Sequence, residues 1–490
     1  MKPFRLITAF TAFVCACTVA APVLAGEAAP RLRDGRWTVV FRSATLPADA
    51  GARVAAAGGV VGRTLDDVGV LIASGNAAFA KRLRADAAVL AVGLEKFYTL
   101  PQVVRGGSEV ESFGEPTSDD RRYWLQWNVR RIGAPAMWAR VPLEVQNLAT
   151  VAVLDTGVMD THRDLSGQIV DMVATNYCQE IVGDNPAYPI YSKLIDFDAH
   201  PVWYPSDGCD DAATYYVAHG THVAGTIAAK FGSGSVVGVA PGVRVAAYKV
   251  FDRYRFTNED EEVIDDVGAF DGSIFKAIID AANKGYTVIN LSLGSVFDRR
   301  YDNAALLAWD RVMKFANRMG MVVVAAAGNA ALNSNGTLGF LPADLPTVFS
   351  TSATGSNNLV LEGGQFNAAP GSDVLAYYSD YGGATDIAAP GGDCGQVAPP
   401  DCAPGTYAEQ FIWSAYIFES GPYIGLPGYA AYIGTSMASP HVAAAAAVVR
   451  ALHPEWTPGE VRSFLRETAE KIGSRQAFGH GMVNADAASK

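Results

Sequence analysis

The sequence predicts an α/β protein: a doubly wound, mostly parallel sheet preceded by a small α+β unit. Three observations carry this. From about Tyr123 onward, short runs apolar on both faces alternate with amphipathic helical patterns, which is the signature of a parallel sheet covered on both sides. The first hundred residues instead alternate short strands and helices without long buried runs, as in an antiparallel sandwich. Half of the 490 residues are hydrophobic and 18% are charged, so the chain can bury a large core and is not disordered.

The chain begins with Lys2 and Arg5, an apolar run, and small residues ending Val23-Leu24-Ala25. This reads as a secretory signal over residues 1–25, and export to the extracellular space or periplasm follows. The run is too short and too rich in small residues for a membrane anchor, so no membrane span is expected in the mature form. Residues 26–35 read as a tether. "RWTVVF" (36–41) is strand-like, "PADAGARVAAAG" (47–58) helical, "GVLIAS" (69–74) strand-like, "NAAFAKRLRAD" (76–86) helical and "AVLAVGLE" (88–95) strand-like. Residues 26–102 thus form one unit. Residues 103–122, rich in Gly, Ser and charge, read as an exposed linker, and residues 123–490 form the main domain.

In that domain the strand-like runs are 149–157, 243–251, 286–294, 320–329 and 346–354. Between them, Ile274, Phe275, Ile278, Ile279 and Ala282 share one helical face that stops at Gly285, and Leu306, Trp309, Val312, Met313 and Ala316 share another that stops at Gly320. In such sheets ligands bind at the carboxyl ends of the strands. Asp155, Ser292 and Asn329 lie at such ends. The net charge of −12 speaks against nucleic acid, which needs clustered Lys and Arg. A monomer is expected.

Four segments carry the chemistry: "VLDTGV" with Asp155, "HGTHVAGT" with His219 and His222, "AAAGN" ending in Asn329, and "GTSMASPHVA" with Ser436 at the mouth of an apolar helix. Each alone is weak. An Asp at a strand end commonly caps a turn, and two His three apart can face one metal, although no third ligand lies nearby. In the order Asp, His, Asn, Ser they are specific. A serine hydroxyl needs a base within about 2.6–3.2 Å to act as a nucleophile. His219 would be that base and Asp155 would fix its tautomer. A helix N-terminus favours the developing anion.

With "GVAPGVRVAAYKV", "INLSLG", "DIAAPGG" and "GHGMVNADAA" added, residues 123–490 resemble the subtilisin-like serine proteases, or subtilases. The resemblance implies a secreted endopeptidase acting on proteins or peptides, with Asp155, His219 and Ser436 as triad. The Ser436 backbone N–H and the Asn329 side chain would form an oxyanion hole; one such donor is typically worth about 10²–10³ in rate. Ser292, Leu293 and Gly294 would be a backbone ladder for an extended substrate. The first unit resembles the family's propeptide, a ferredoxin-like inhibitor and folding aid that would inhibit its own chain transiently before cleavage in the linker. His222 is read as helix-face packing and His441 as buried structure. An esterase would need G-x-S-x-G and Asp after Ser, which this chain lacks, and a dead scaffold would have lost part of the triad.

The chain departs from the family pattern in places. Insertions at 176–213 and 393–432 carry Cys178, Cys209, Cys394 and Cys402. Three pairings are possible; proximity favours Cys178–Cys209 and Cys394–Cys402, and no C-x-x-C spacing suggests zinc. The chemistry requires no cofactor. Structural calcium stays open, because Asp164 matches the family's carboxylate whereas Gly232 stands where the family often offers an asparagine. An acidic stretch, 256–272, reads as a loop near the upstream subsites, and is either solvated, a calcium cradle or an attractor for basic residues. The resemblance implies that the wall of the primary pocket lies just before a proline-containing turn, matched by "GFLPA" (339–343); Phe340 would make that wall bulky, so a small or medium apolar residue is expected before the cut bond.

Overall fold

A computed structural model describes residues 35–100, 104–110, 120–177, 204–205, 217–257, 263–394, 408–419 and 423–490. The signal segment 1–25, the acidic residues 258–262, and Cys178, Cys209 and Cys402 lie outside them.

The first unit is a four-stranded antiparallel sheet, β1 (Arg36–Phe41), β2 (Val60–Leu65), β3 (Val70–Ser74) and β4 (Val89–Leu94), in the order β2-β3-β1-β4, with helices α1 (Ala50–Ala56) and α2 (Ala77–Arg84). Strand periodicity divides its faces. Val39, Phe41, Leu71 and Ala73 pack with Phe79 and Leu83 beneath the unit's own helices. Val40 and Val70 point the other way and join the core of the larger domain. Strand β2, which the sequence reading passed over, completes this sheet.

The chain then continues as β5 (Phe97–Thr99) and β6 (Val104–Val110). Here the structure corrects the linker reading. Residues 104–110 form a strand, not an exposed tether.

The main sheet contains β7 (Thr150–Asp155), β8 (Ile169–Ala174), β10 (Arg244–Lys249), β13 (Val288–Leu291), β15 (Val322–Ala326), β17 (Val348–Ser356), β20 (Asp373–Leu375) and β21 (Ile387–Pro390). Its order is β20-β17-β15-β13-β7-β10-β8, with β21 on β17. All described pairs are parallel except β17–β20. Alternate residues serve opposite layers. Val151 and Val153 pack under the histidine helix (His219–Ala228) and the serine helix (Thr435–Leu452). Ala152 and Leu154 pack under the helices Asp271–Asn283 and Asn303–Arg318.

Four smaller sheets of described strands rim this core. Strand β9 (Tyr204–Pro205) and the hairpin of β11 (Asp252–Thr257) and β12 (Val263–Phe270) form a sheet whose outer strand is β5. The acidic stretch read as a loop is therefore largely the β11–β12 hairpin. β14 (Ser295–Asp298) pairs with β16 (Leu338–Leu341), and β18 (Leu359–Glu362) with β19 (Gln365–Ala368). The insertion before Ser436 supplies β22 (Ile412–Ile417) and β23 (Pro427–Ile433), which form a sheet with β6. No helix among the described residues is long and apolar enough to cross a membrane.

Candidate active site

Asp155 is the last residue of β7 and His219 the first of its helix. Their approach depends on Gly220. A methyl there would fall 2.2 Å from the Gly157 carbonyl and 3.1 Å from Asp155 Cβ. Thr156 Oγ1 accepts from Gly220 N at 3.0 Å, satisfying one of the unpaired donors at the helix start. His219 Nδ1 then lies 2.8 and 3.0 Å from the two Asp155 oxygens. A carboxylate accepts here, so Nδ1 carries the proton and Nε2 presents its lone pair. Nε2 is buried and has no hydrogen-bond partner among the described residues.

Ser436 is the second residue of a helix that is almost wholly buried and packs against the histidine helix. Its hydroxyl donates to the Ser292 carbonyl at 3.2 Å rather than to His219. Hydrogen bonds of this kind are often unmade until substrate arrives. Both Ser436 and His219 are buried.

The backbone of Ser436 has a further partner. Pro440 lacks the N–H that would normally bond the carbonyl four residues earlier. The Ser292 hydroxyl donates to that Ser436 carbonyl instead, at 2.8 Å. Asn290 Nδ2 and Ser439 Oγ, at 2.9 and 3.0 Å, hold Ser292 Oγ in turn. Ser292 was expected only as a backbone ladder; its side chain locks the serine helix to the sheet. Ser292, Leu293 and Gly294 follow β13 outside every described strand.

Asn329 follows β15. Its Oδ1 accepts from Thr435 N at 2.9 Å and Thr435 Oγ1 at 2.7 Å, which orients the amide with Nδ2 as its donor. Asp380 holds the next turn, since its Oδ1 accepts from Ala330 N and Leu332 N, each at 2.8 Å. Burial outweighs these bonds and pushes its carboxyl up to about 7. No sequence signal singled out Asp380. Phe340 bridges the two sides of the cleft. A methyl on Gly294 would lie 2.1 Å from Phe340 Cε1, and one on Gly328 2.9 Å from Phe340 Cδ2.

His222 does more than pack. Its Nε2 donates to the Ile412 and Ala430 carbonyls at 3.0 and 3.1 Å, and its ring stacks on Tyr432 at 4.5 Å. Burial, reinforced by His219, drives its pKa down to about 3, so the ring is neutral. His441 is likewise buried, with its Nδ1 donating to the Met437 carbonyl and its pKa lowered to about 4.

At the family's calcium position Asp164 accepts from Ser233 Oγ at 2.7 Å and Val236 N at 3.2 Å, and position 232 is a glycine. Cys394 is buried and disulfide-bonded, with its partner outside the described residues.

The chain is similar to known proteins in both sequence and fold. Residues 147–481 match the subtilase family. Subtilisin BL of Lederbergia lenta is 32% identical over 368 residues, 75% of this chain and 99% of that protein. Alkaline elastase YaB of Bacillus sp. is 34% identical over 366 residues, 75% of this chain and 70% of that protein. The crystal structure of the epidermin leader peptide processing serine protease of Staphylococcus aureus superposes with a TM-score of 0.66 at 21% identity, covering 93% of this chain and 97% of that one. Fervidolysin of Fervidobacterium pennivorans gives 0.61 at 24%, covering 94% and 62%. These two share the fold. The family match and the subtilisin relatives establish more: this chain belongs to the subtilase family and is a subtilisin-like serine peptidase.

Proposed function

We propose that the chain is a secreted endopeptidase made as a self-processing zymogen, with Asp155, His219 and Ser436 as its triad. The observation that carries this is the Asp155–His219 pair, which leaves Nε2 without a described partner beside the serine helix. Ser436 Oγ attacks the peptide carbonyl as its proton passes to His219 Nε2. Asp155 stabilises the imidazolium. Asn329 Nδ2 and the Ser436 N–H receive the oxyanion. The proton then goes to the leaving amine, and water, activated by the same His219, hydrolyses the acyl ester. No cofactor enters these steps.

The zymogen reading rests on the path of the chain. β5 pairs with β12, and β6 pairs with β23, which runs on into Ser436. The described strands on either side of residues 101–103 flank the proposed site, which supports a processed bond between Thr99 and Val104. Glu95, at the end of the first unit, accepts from Gly272 N at 2.9 Å and caps the helix Asp271–Asn283. Export follows from the signal-like start and suits a disulfide at Cys394. The pairings Cys178–Cys209 and Cys394–Cys402 remain part of the proposal.

The test is Ser436→Ala. The variant should lose peptidase activity and fluorophosphonate labelling, and its precursor should persist uncut. Active enzyme should begin between Leu100 and Val104. Labelling of the variant, or its cleavage at that same bond without other proteases, would refute the assignment.

A further inference from the structure

We propose that Asp380 is a positioning residue for the oxyanion hole: its carboxyl holds the loop 328–332 so that the Asn329 side chain meets the developing oxyanion. This deepens the protease reading and rests on its assignment of Asn329. Ala327 N still bonds the Thr351 carbonyl of β17 at 3.0 Å. Beyond it the chain leaves the sheet, and residues 328–332 belong to no strand or helix. A donor that must meet an oxyanion at about 2.7–3.1 Å needs its backbone fixed, and here the sheet does not fix it.

Two groups of bonds take over. Thr435, beside Ser436, holds the amide itself through its two bonds to Asn329 Oδ1. Residues 378–381 hold the flanks. Asp380 N donates to the Gly328 carbonyl at 2.9 Å, Ala331 N to the Tyr378 carbonyl at 2.7 Å, and Tyr381 N to the Leu332 carbonyl at 2.9 Å. The Asp380 side chain adds the central pair, its Oδ1 accepting from Ala330 N and Leu332 N at 2.8 Å each. Every neighbour of Asn329 within the loop is thus bonded to this one segment.

These bonds hold the loop against its own preference. For the N–H groups of Ala330 and Leu332 to converge on a single oxygen, the intervening Ala331 takes a φ of +50°, the one positive φ of a non-glycine residue among the described residues. That left-handed conformation is strained for alanine, and it persists because the Asp380 bonds oppose its relaxation. The carboxyl is also wedged against the loop. A methyl on Gly328 would fall 2.1 Å from Asp380 Oδ2 and 2.9 Å from its Cγ. Oδ2 is buried without a hydrogen-bond partner among the described residues, a costly arrangement for a group that merely closes a turn. What it secures is the place of Asn329, where a displacement of about 1 Å is enough to cost about 10² in rate.

The experiment uses enzyme purified after expression of the whole chain and measures kcat, KM and Tm on one peptide substrate. Asn329→Ala should lower kcat by about 10²–10³. Asp380→Ala should lower kcat by about tenfold to a hundredfold and change KM by less than about threefold, because the oxyanion forms only in the transition state. In the Asn329→Ala background the same substitution should lower kcat by less than about threefold, since the donor it positions is gone. Asp380→Asn keeps the acceptor for both N–H groups and should stay within about threefold of wild type. Should the alanine variant not fold, Asp380→Ser, too short to reach both N–H groups, takes its place in the cycle. An equal fall in kcat in both backgrounds, a fall confined to Tm or a change confined to KM, or an Asp380→Asn as slow as Asp380→Ala would overturn the positioning role and leave the protease reading intact. An unchanged kcat in Asn329→Ala would overturn the oxyanion assignment as well.

Discussion

The smallest unit that decides the geometry of the site is the pair Pro440 and Ser292. A proline inside the serine helix withdraws one N–H, and the Ser292 hydroxyl supplies the missing donor to the Ser436 carbonyl. This bond is buried, so its loss leaves an unsatisfied acceptor and costs about 1–3 kcal/mol. Ser292→Ala should lower Tm accordingly and reduce kcat, since Ser436 loses a tether. Pro440→Ala restores an N–H at the position that can bond the same carbonyl. In a Pro440→Ala background, Ser292→Ala should therefore cost clearly less. The double-mutant cycle measures this coupling directly. Strict additivity of the two substitutions would show that the hydroxyl is not a substitute for the absent N–H.

At the level of elements, the β14–β16 ribbon shapes one end of the cleft, because it carries Phe340 against Gly294 and Gly328. The slot between the candidate substrate ladder and the strand of Asn329 is thus narrowed by an aromatic ring. Phe340→Ala should raise kcat/KM for a substrate with Phe before the cut bond, relative to one with Ala, by about tenfold, or about 1.4 kcal/mol in discrimination. The ratio is the measurement, since the variant will also lose packing stability. An unchanged ratio would place the primary pocket elsewhere. Asp155, His219, Asn329 and Ser436 were legible as candidates in the sequence, because each stands at the end of a buried run or the start of a helix, whereas Phe340 was legible only through the family resemblance. β6 was not. "VRGGSEV" has neither strand periodicity nor β-rich composition, and it is extended because β23, over three hundred residues away, offers an edge. The acidic hairpin β11–β12 escaped for a different reason, since its carboxylates obscure the strand-forming Tyr, Phe, Val and Ile residues among them. The side-chain roles of Ser292, His222 and Asp380 depend on partners that only the fold brings together.

For the whole molecule, the question is what would hold the first unit in place once the proposed processing bond is cut. Its sheet leans on the helices Asp271–Asn283 and Asn303–Arg318, and the contact closes over one carboxylate. Asp271 accepts from Tyr98 Oη at 2.6 Å, Trp309 Nε1 at 2.9 Å and Lys96 N at 3.0 Å. Burial outweighs those donors, and with the nearby Glu95 it pushes the carboxyl up to about 7. Departure of the first unit removes Tyr98 and Lys96 and admits water at a helix N-terminus, where a carboxylate returns toward its usual value near 4. The docked state therefore binds the proton more tightly than the released state. By linkage the attachment is fully present below pH about 4, weakens as pH rises toward 7, and is level above that. The slope can reach about tenfold in Kd per pH unit. The cleaved complex should accordingly stay together in mild acid and release active enzyme as the solution is neutralised. Onset of peptidase activity after a pH jump, followed alongside separation of the two pieces by gel filtration, measures this. Asp271→Asn removes the titrating group and should flatten the profile between pH 4 and 7, whatever it does to the affinity itself. A wild-type profile with no slope in that window, or the same slope in Asp271→Asn, would assign the control of release to other groups in the contact.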